Sequence, residues 1–508
     1  MGSAKKVMSN IFYLFFDWVA ITGFGYLFWL ILGKLTTSAE VGAFSAILNA
    51  GLILSGISAL GLTTAAIKLI PEYQVKNQEE KIRGTAFHVL KIIAAVNILI
   101  FLALVFVAPL ITTSFSPNDF KLLAITMLAL TLYTAPACYL SGLQLMKKLA
   151  ITDGIGMVSK ALLLIPFILL GLGHAGAVYA VVLSFSAVGI YRIFIIPRGT
   201  KHDDAKHRPA FEHDSKEIWK YAVPAFVSIP ATMLIGSGNI TLQALFTSAS
   251  AVGLFSIAFV LTSPIKMITT MISQAIFPVT SQQWAVGQKQ QLGTLATQSL
   301  RYSYLVAAPM ILILSAFAAD FLTILVKAEY AAASGIVPIL AVASALSGIS
   351  AILLAILYTT GNPKLNRNAW IAASLINLAL IFALVPTLGI MGNAIAFLAA
   401  SLVVFLLPFL WSKKYLQYSI GVGALVKTTL ASIGWVAVVY AFRLAFGNWG
   451  LAMGLVAGSL MYLLLLLLLR FFIPLDLILL QQVQDRLPKG MRHVGMFIIT
   501  LVTKFTSI

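Results

Sequence analysis

Apolar runs of about twenty residues, separated by short polar connections, follow one another along almost the whole chain. At a helical rise of ~1.5 Å per residue, each run is long enough to cross the ~30 Å hydrocarbon core of a bilayer, so each predicts a transmembrane helix. Fourteen spans are counted, at 11–33, 42–69, 85–111, 121–146, 152–172, 176–197, 217–246, 251–283, 297–325, 334–360, 367–386, 390–412, 423–446 and 449–471. The weakest division lies between spans 5 and 6, which only Gly171-Leu172-Gly173-His174-Ala175-Gly176 separates. The pattern predicts an all-α polytopic membrane protein. After Pro474 the chain alternates between apolar and basic residues, which suits amphipathic helices lying on the inner leaflet.

The spans repeat. Ala39-Glu40-Val41-Gly42-Ala43-Phe44-Ser45, entering span 2, recurs as Ser250-Ala251-Val252-Gly253-Leu254-Phe255-Ser256, entering span 8. Leu172-Gly173-His174-Ala175-Gly176-Ala177-Val178 before span 6 recurs as Leu388-Gly389-Ile390-Met391-Gly392-Asn393-Ala394 before span 12. Offsets of 211 and 216 residues make spans 1–6 and 7–12 two copies of one unit. Six crossings is an even number, so both copies insert with the same orientation, related by a pseudo-twofold axis along the membrane normal. The layout expected is an N-lobe at 1–197, a cytoplasmic linker at 198–216 and a C-lobe at 217–412, with a central cleft between the six-helix lobes. Two extra spans follow within 413–474, and a cytoplasmic amphipathic tail occupies 475–508.

Composition agrees: 60% of the 508 residues are hydrophobic and 10% are charged, which leaves no stretch polar enough for a separate soluble catalytic domain. Lys and Arg number 34 against 16 Asp and Glu, a formal charge of +18. With both termini placed in the cytoplasm, the outer connections hold Lys34, Lys121, Lys327 and Arg443 against Glu40, Asp119, Asp320 and Glu329, and are neutral. The whole excess then faces the cytoplasm, as the positive-inside rule requires, and points to membrane lipids as partners and not to nucleic acid. The N-terminus lacks a myristoylation signal, and no small-residue cleavage site follows span 1, so that span is expected to be retained. Cys138 is a single cysteine in an apolar segment and is read as packing. His202, Asp203, His207, His213 and Asp214 are metal-ligand types without metal-site spacing, and read as a solvated loop. With no Walker motif and no nucleophile motif, neither a catalytic residue, a metal site nor a bound cofactor is expected.

Ionisable groups at membrane depth are costly, which makes each a functional candidate. Lys266 sits fifteen residues into span 8, near the midplane, with Thr262, Ser263, Thr269, Thr270, Ser273 and Gln274 at helical spacing around it. This stripe is expected to line the cleft; the alternative is that Lys266 snorkels or ties two helices together. Asp17 lies inside span 1 and is the ion-coupling candidate, for a proton or sodium, or else one half of a structural pair. Lys91 in span 3 and Arg301 in span 9 stand 210 apart, at equivalent repeat positions, and with Lys160 in span 5 they bring positive charge to the inner third of both lobes. These three either line the cleft or meet lipid headgroups. Pro224 and Pro230, followed by Gly236-Ser237-Gly238-Asn239, make span 7 the candidate for bending.

The chain resembles the polysaccharide transporter family, the Wzx-like oligosaccharide flippases of the multidrug/oligosaccharidyl-lipid/polysaccharide (MOP) exporter superfamily. The carriers of the likeness are Leu35-Thr36-Thr37-Ser38-Ala39-Glu40-Val41-Gly42-Ala43-Phe44, Leu60-Gly61-Leu62, Tyr221-Ala222-Val223-Pro224 and Val252-Gly253-Leu254-Phe255 through Pro278. Arg301-Tyr302 and Pro309, leading to Glu329-Tyr330-Ala331-Ala332-Ala333, complete them. The resemblance implies two lobes that open alternately and carry a polyprenyl-pyrophosphate-linked oligosaccharide across the cytoplasmic membrane, with polysaccharide assembly proteins as possible partners. Lys266, Arg301, Lys91 and Lys160 would then meet the anionic head group, and Thr262, Thr269, Thr270, Ser273 and Asn239 the sugar. Relatives often carry an acid in span 7 near Asn239, where this chain has an amide. The rival readings are a cation-coupled multidrug exporter of the same superfamily and a membrane polysaccharide polymerase or ligase, which would need larger external loops than these.

Overall fold

A computed structural model describes residues 21–111, 116–196, 208–419, 421–473 and 476. Asp17, most of the 198–216 linker and the tail beyond Asp476 lie outside the described residues.

Every described element is helical, as it must be where no water is present to satisfy backbone N–H and C=O groups. In chain order they are α1 (Ile21–Leu35), α2 (Ser38–Ser58), α3 (Leu62–Val75), α4 (Glu79–Leu102), α5 (Ala108–Ile111), α6 (Pro117–Thr134), α7 (Ala137–Gly142), α8 (Met146–Leu169) and α9 (Gly173–Ile195). There follow α10 (Arg208–Ile235), α11 (Ser237–Gln243), α12 (Ala249–Ala285), α13 (Lys289–Ala316), α14 (Ala318–Leu325), a 3-10 segment (Ala328–Ile336), α15 (Val337–Thr359), α16 (Pro363–Leu388), α17 (Ile390–Ser412) and α18 (Val422–Leu468). A π-helical segment, Ala103–Val107, continues α4.

Among the described residues, 12 helices are long and apolar enough to cross a membrane, against the fourteen spans expected. The difference lies at two places. Only Ile21–Leu35 of span 1 falls within the described residues, and it is shorter than a crossing. Spans 13 and 14 form the single 47-residue α18, which turns at Gly447 (φ 59, ψ −137), a conformation open to glycine. Span 7, the candidate for bending, breaks at Gly236, between α10 and α11. Span 2 breaks at Leu60 and Gly61, both at positive φ. There a Cβ on Gly61 would overlap the Ala222 carbonyl of α10, so both the turn and the approach require glycine.

The helices gather into two compact units. The first comprises Met1–Leu261, Ala319–Ile336 and Arg367–Val403; the second comprises Thr262–Ala318, Val337–Asn366 and Val404–Ile508. The first takes helices from both before and after the linker, the second only from after it, and α12 has residues in both.

In the first unit, Leu62, Leu69, Ile70 and Tyr73 of α3 pack with Val89 and Ile93 of α4, Cys138 of α7, and Ile218 and Ala222 of α10. Cys138 is buried there, in the packing role expected of it. Helix starts are fixed by reciprocal caps, Thr37 with Glu40 on α2 and Ser116 with Asp119 on α6. The closest approach joins α2 to α12. A Cβ on Gly42 would overlap the Ala249 carbonyl, and one on Gly253 the Ser38 carbonyl. These two glycines are 211 residues apart, at the same place in the two repeats.

In the second unit, Leu292 and Leu300 of α13 meet Ile352, Leu353 and Ile356 of α15, and Leu416. Past Gly447, α18 returns on itself. Gly450, Gly454 and Gly458, one turn apart, lie against Phe442, Val439 and Trp435 of the outgoing arm, a small-residue seam that lets the two backbones close.

Gly42→Ala is expected to lower stability by about 1–3 kcal/mol, because its neighbour is backbone and has no rotamer to yield. The check is a thermal melt in detergent, where an unchanged midpoint would mean that α2 and α12 separate without loss.

Candidate functional site

The charges and amides inside the helices fall into three classes: those already neutralised, those closed off among amides, and those left open.

Among the described residues the most deeply buried charge is Arg192, 1% exposed in the last turn of α9. Its Nη2 lies 2.5 Å from Asp153 Oδ1 on the antiparallel neighbour α8. Its remaining donors reach Thr152 Oγ1 (2.7 and 3.0 Å) and the Tyr133 carbonyl (2.8 Å), next to the break between α6 and α7. The Tyr133 hydroxyl also donates to Asp153, and the guanidinium stacks 4.6 Å from the Tyr133 ring. This pair ties α6, α8 and α9 together. Sequence reasoning missed it because both residues sit at span ends, where charge ordinarily meets headgroups; the signal available was opposite charge at facing ends of consecutive spans.

Arg301 on α13 is neutralised too. Its guanidinium forms a two-pronged contact with Asp476 (2.7 and 3.1 Å), donates to the Phe471 carbonyl (2.6 Å) and stacks 4.2 Å from the Phe471 ring. The Tyr302 hydroxyl donates to the same carboxylate. A small pocket beside it is lined by Thr297, Arg301, Tyr304, Gly421 and Ala424. Asp476 lies beyond the last span and carried no sequence signal.

Asn239, expected to line the cleft, is fully buried in a group of amides. Its Oδ1 accepts from Asn377 Nδ2 (2.6 Å), and its backbone carbonyl accepts from Asn393 Nδ2 (3.2 Å), which also donates to Gln243 (2.6 Å). Gln243 Nε2, Asn377 Oδ1 and Asn393 Oδ1 have no partner among the described residues. The group holds α11, α16 and α17 together without a charge.

Of the cations expected at the site, three lysines remain. Lys266 on α12 has open surface, and its Nζ meets no acid among the described residues. The polar stripe around it divides. Thr262 and Thr269 turn toward α15, where Ser344 donates to Thr262 (3.3 Å) and Gly348 leaves room for Thr269; Ser273, one turn on, is buried as well. Lys266, Thr270 and Gln274 form the flank of that face, and the Thr270 hydroxyl donates to the Lys266 carbonyl (2.8 Å). A helix presents hydroxyls over a broad arc, and the small residue on α15 decides which of them it buries. Lys91 on α4 is exposed. Lys160 on α8 is 8% exposed, with its ammonium 4.7 Å from the Phe28 ring and 5.5 Å from the Phe185 ring. No group of three or more His, Cys, Asp or Glu that could hold a metal occurs among the described residues.

Comparison with solved structures shows the same fold in a lipid II flippase, MurJ, in an inward closed conformation. Its TM-score is 0.71 at 15% identity, covering 90% of this chain and 98% of that one. An inward-facing multidrug resistance MATE family transporter gives a TM-score of 0.62 at 17% identity, covering 80% and 97%. The chain therefore shares its helical fold with these two proteins. A family profile described as polysaccharide biosynthesis protein matches residues 7–284, more than half the chain, and the chain belongs to that family. A second profile, MatE, matches residues 230–383. Among curated proteins, an uncharacterized membrane protein of Methanocaldococcus jannaschii is 21% identical over 438 residues, 82% of this chain and 86% of that protein. A probable low-salt glycan biosynthesis flippase of Haloferax volcanii is 24% identical over 189 residues, 37% of this chain and 40% of that one.

Breaking the Arg192–Asp153 pair leaves a buried guanidinium without its counter-charge. Asp153→Ala is therefore expected to cost about 3–5 kcal/mol, while an Arg192→Met, Asp153→Leu double variant recovers most of it. Thermal unfolding of the single and double variants measures the coupling; additive losses would mean that the pair does not act as a unit.

Proposed function

We propose that the chain is a transporter, and not an enzyme: a flippase that moves an oligosaccharide or polysaccharide precursor, linked to a polyprenyl pyrophosphate, across the cytoplasmic membrane by alternating access. The observation that carries this reading is the set of cations left over once Arg192 and Arg301 are neutralised. Lys266 stands open in the middle of a span, Lys91 is open on α4, and Lys160 is buried against aromatic faces without an acid among the described residues. A lipid pyrophosphate is an anion that must pass the hydrocarbon, and such ammonium groups are what stabilise it there. Family membership supports the same reading, and the named flippases among its relatives and structural neighbours agree with it.

Both termini lie in the cytoplasm on this reading, since only that orientation puts the excess of Lys and Arg inside. The substrate loads from that positively charged face and leaves on the outer side, where polysaccharide assembly proteins would receive it. Thr270 and Gln274 accompany Lys266 on the open flank and suit sugar hydroxyls. Energy comes from a proton or sodium gradient acting through Asp17.

The MatE match over 230–383 favours a second reading, a cation-coupled multidrug exporter. The open groups described above are lysines, which would repel a cationic drug, and this places the flippase reading first.

Lys266→Ala is expected to lower transport of lipid-linked oligosaccharide in reconstituted vesicles at least about tenfold, the loss of one charge-assisted contact, with Lys266→Arg close to the parent. Full transport by the alanine variant would remove Lys266 from the mechanism. Asp17→Asn should abolish the response to an imposed gradient, and an unchanged response would leave Asp17 a structural residue. Mass spectrometry of copurifying lipids should find a polyprenyl-linked sugar; a cationic amphiphile in its place would favour the exporter.

A further inference from the structure

At the end of the first unit that carries residues 36–42, a short segment of chain addresses two helix ends at once. Lys327 Nζ donates to the carbonyl of Thr36, past the C-terminus of α1 (2.8 Å). The Glu329 carboxylate accepts from the Ser38 backbone N–H in the first turn of α2 (3.1 Å) and from the Ser38 hydroxyl (3.3 Å). The ammonium thus meets one carbonyl just past a helix C-terminus and the carboxylate one N–H in a helix first turn, each of the sign that helix end attracts. Beside these contacts the Ser38 and Ser250 hydroxyls share a hydrogen bond of 2.8 Å, and Gly42 and Gly253 bring α2 and α12 into backbone contact.

The acid at the matching place in the first repeat behaves differently. Asp119 precedes Glu329 by 210 residues, the offset that relates Lys91 to Arg301, and each acid is followed by a buried aromatic, Phe120 or Tyr330. Asp119 caps its own helix through Ser116 (3.2 and 2.8 Å) and meets His174 at 3.1 Å. Glu329 instead reaches out to α2. The reach is one-sided, so it is not a by-product of the repeat.

Beneath the glycine crossing the structure leaves polar groups unsatisfied. Ser45 and Ser256, one turn past Gly42 and Gly253 and again 211 residues apart, are fully buried, and their hydroxyls have no partner among the described residues. The Tyr330 hydroxyl is in the same condition. Such groups weigh against the closed arrangement and would gain water if α2 and α12 parted. At the crossing each glycine meets backbone of the other helix, Gly42 the Ala249 carbonyl and Gly253 the Ser38 carbonyl, and a packed contact of this kind can exist in two discrete states.

We propose that Lys327 and Glu329 form a latch that holds α2 against α12, and that releasing it opens this end of the molecule and exposes Ser45 and Ser256. The latch holds by charge-assisted hydrogen bonds, while the unsatisfied hydroxyls beneath it favour release. This inference stands apart from the identity of the substrate.

The test uses the full chain in lipid nanodiscs, where reagents reach both faces, in a Cys138→Ala background so that no native thiol reacts. Ser45→Cys serves as the reporter, and Ser432→Cys, buried on α18, as the control for general loosening. Maleimide labelling of Ser45→Cys should be slow, and should rise roughly tenfold when Glu329→Gln or Lys327→Met is added, the population change that follows from removing one charge-assisted hydrogen bond. The Ser432→Cys rate should not move. Separately, a Ser38→Cys/Ser250→Cys pair should form a disulfide readily, and more slowly once Glu329→Gln is added. Equal labelling of Ser45→Cys with the latch intact and cut would overturn the proposal. A rise at both reporters together would overturn it as well, since the segment would then be a brace for the whole fold.

Discussion

A charged group between transmembrane helices has no water to hydrate it, and must find its counter-charge within the protein or keep a route to an ion from outside. Much of this molecule follows from how that requirement is met. Arg192 takes Asp153 from the neighbouring helix, and Arg301 takes Asp476 from beyond the last span. Both guanidiniums use several donors, a geometry that suits arginine better than lysine. The arginines thereby become part of the frame, while the ammonium groups of Lys91, Lys160 and Lys266 meet no acid among the described residues.

Much of the fold was legible in the chain. The periodic apolar runs placed the membrane-crossing helices from Ser38 to Ser412, because a bilayer allows few alternatives to a helix of that length. The connection around Asp119 is joined to that around His174, and the one at Thr36 and Ser38 to that around Lys327 and Glu329. Less was legible where contact decides what a side chain does. Lys91 and Arg301 occupy equivalent repeat positions, yet one is open and the other is neutralised by a residue 175 positions away, a relation that local pattern cannot carry. Thr262 and Thr269 could not be told from Thr270 by spacing alone, since the division between them is made by Gly348 on another helix. Asp153 was overlooked because its place at a span end resembles an ordinary interfacial charge.

The amides around Asn239 show the same requirement met without charge. Four side chains from three helices exchange hydrogen bonds in a fully buried place and leave three polar atoms without a partner among the described residues. A neutral cluster avoids the desolvation cost of an ion, and its several hydrogen bonds still fix the register of α11 against α16 and α17.

The glycine seam of α18 bears on how the chain is made. Its two arms touch through Gly450 with Phe442, Gly454 with Val439, and Gly458 with Trp435, partners separated by only 8, 15 and 23 residues. Contacts so near in sequence close small loops and form early. The last hairpin can therefore zip together as soon as its second arm leaves the ribosome, before it docks on α13. Biogenesis of this hairpin then becomes the delivery of one preassembled pair.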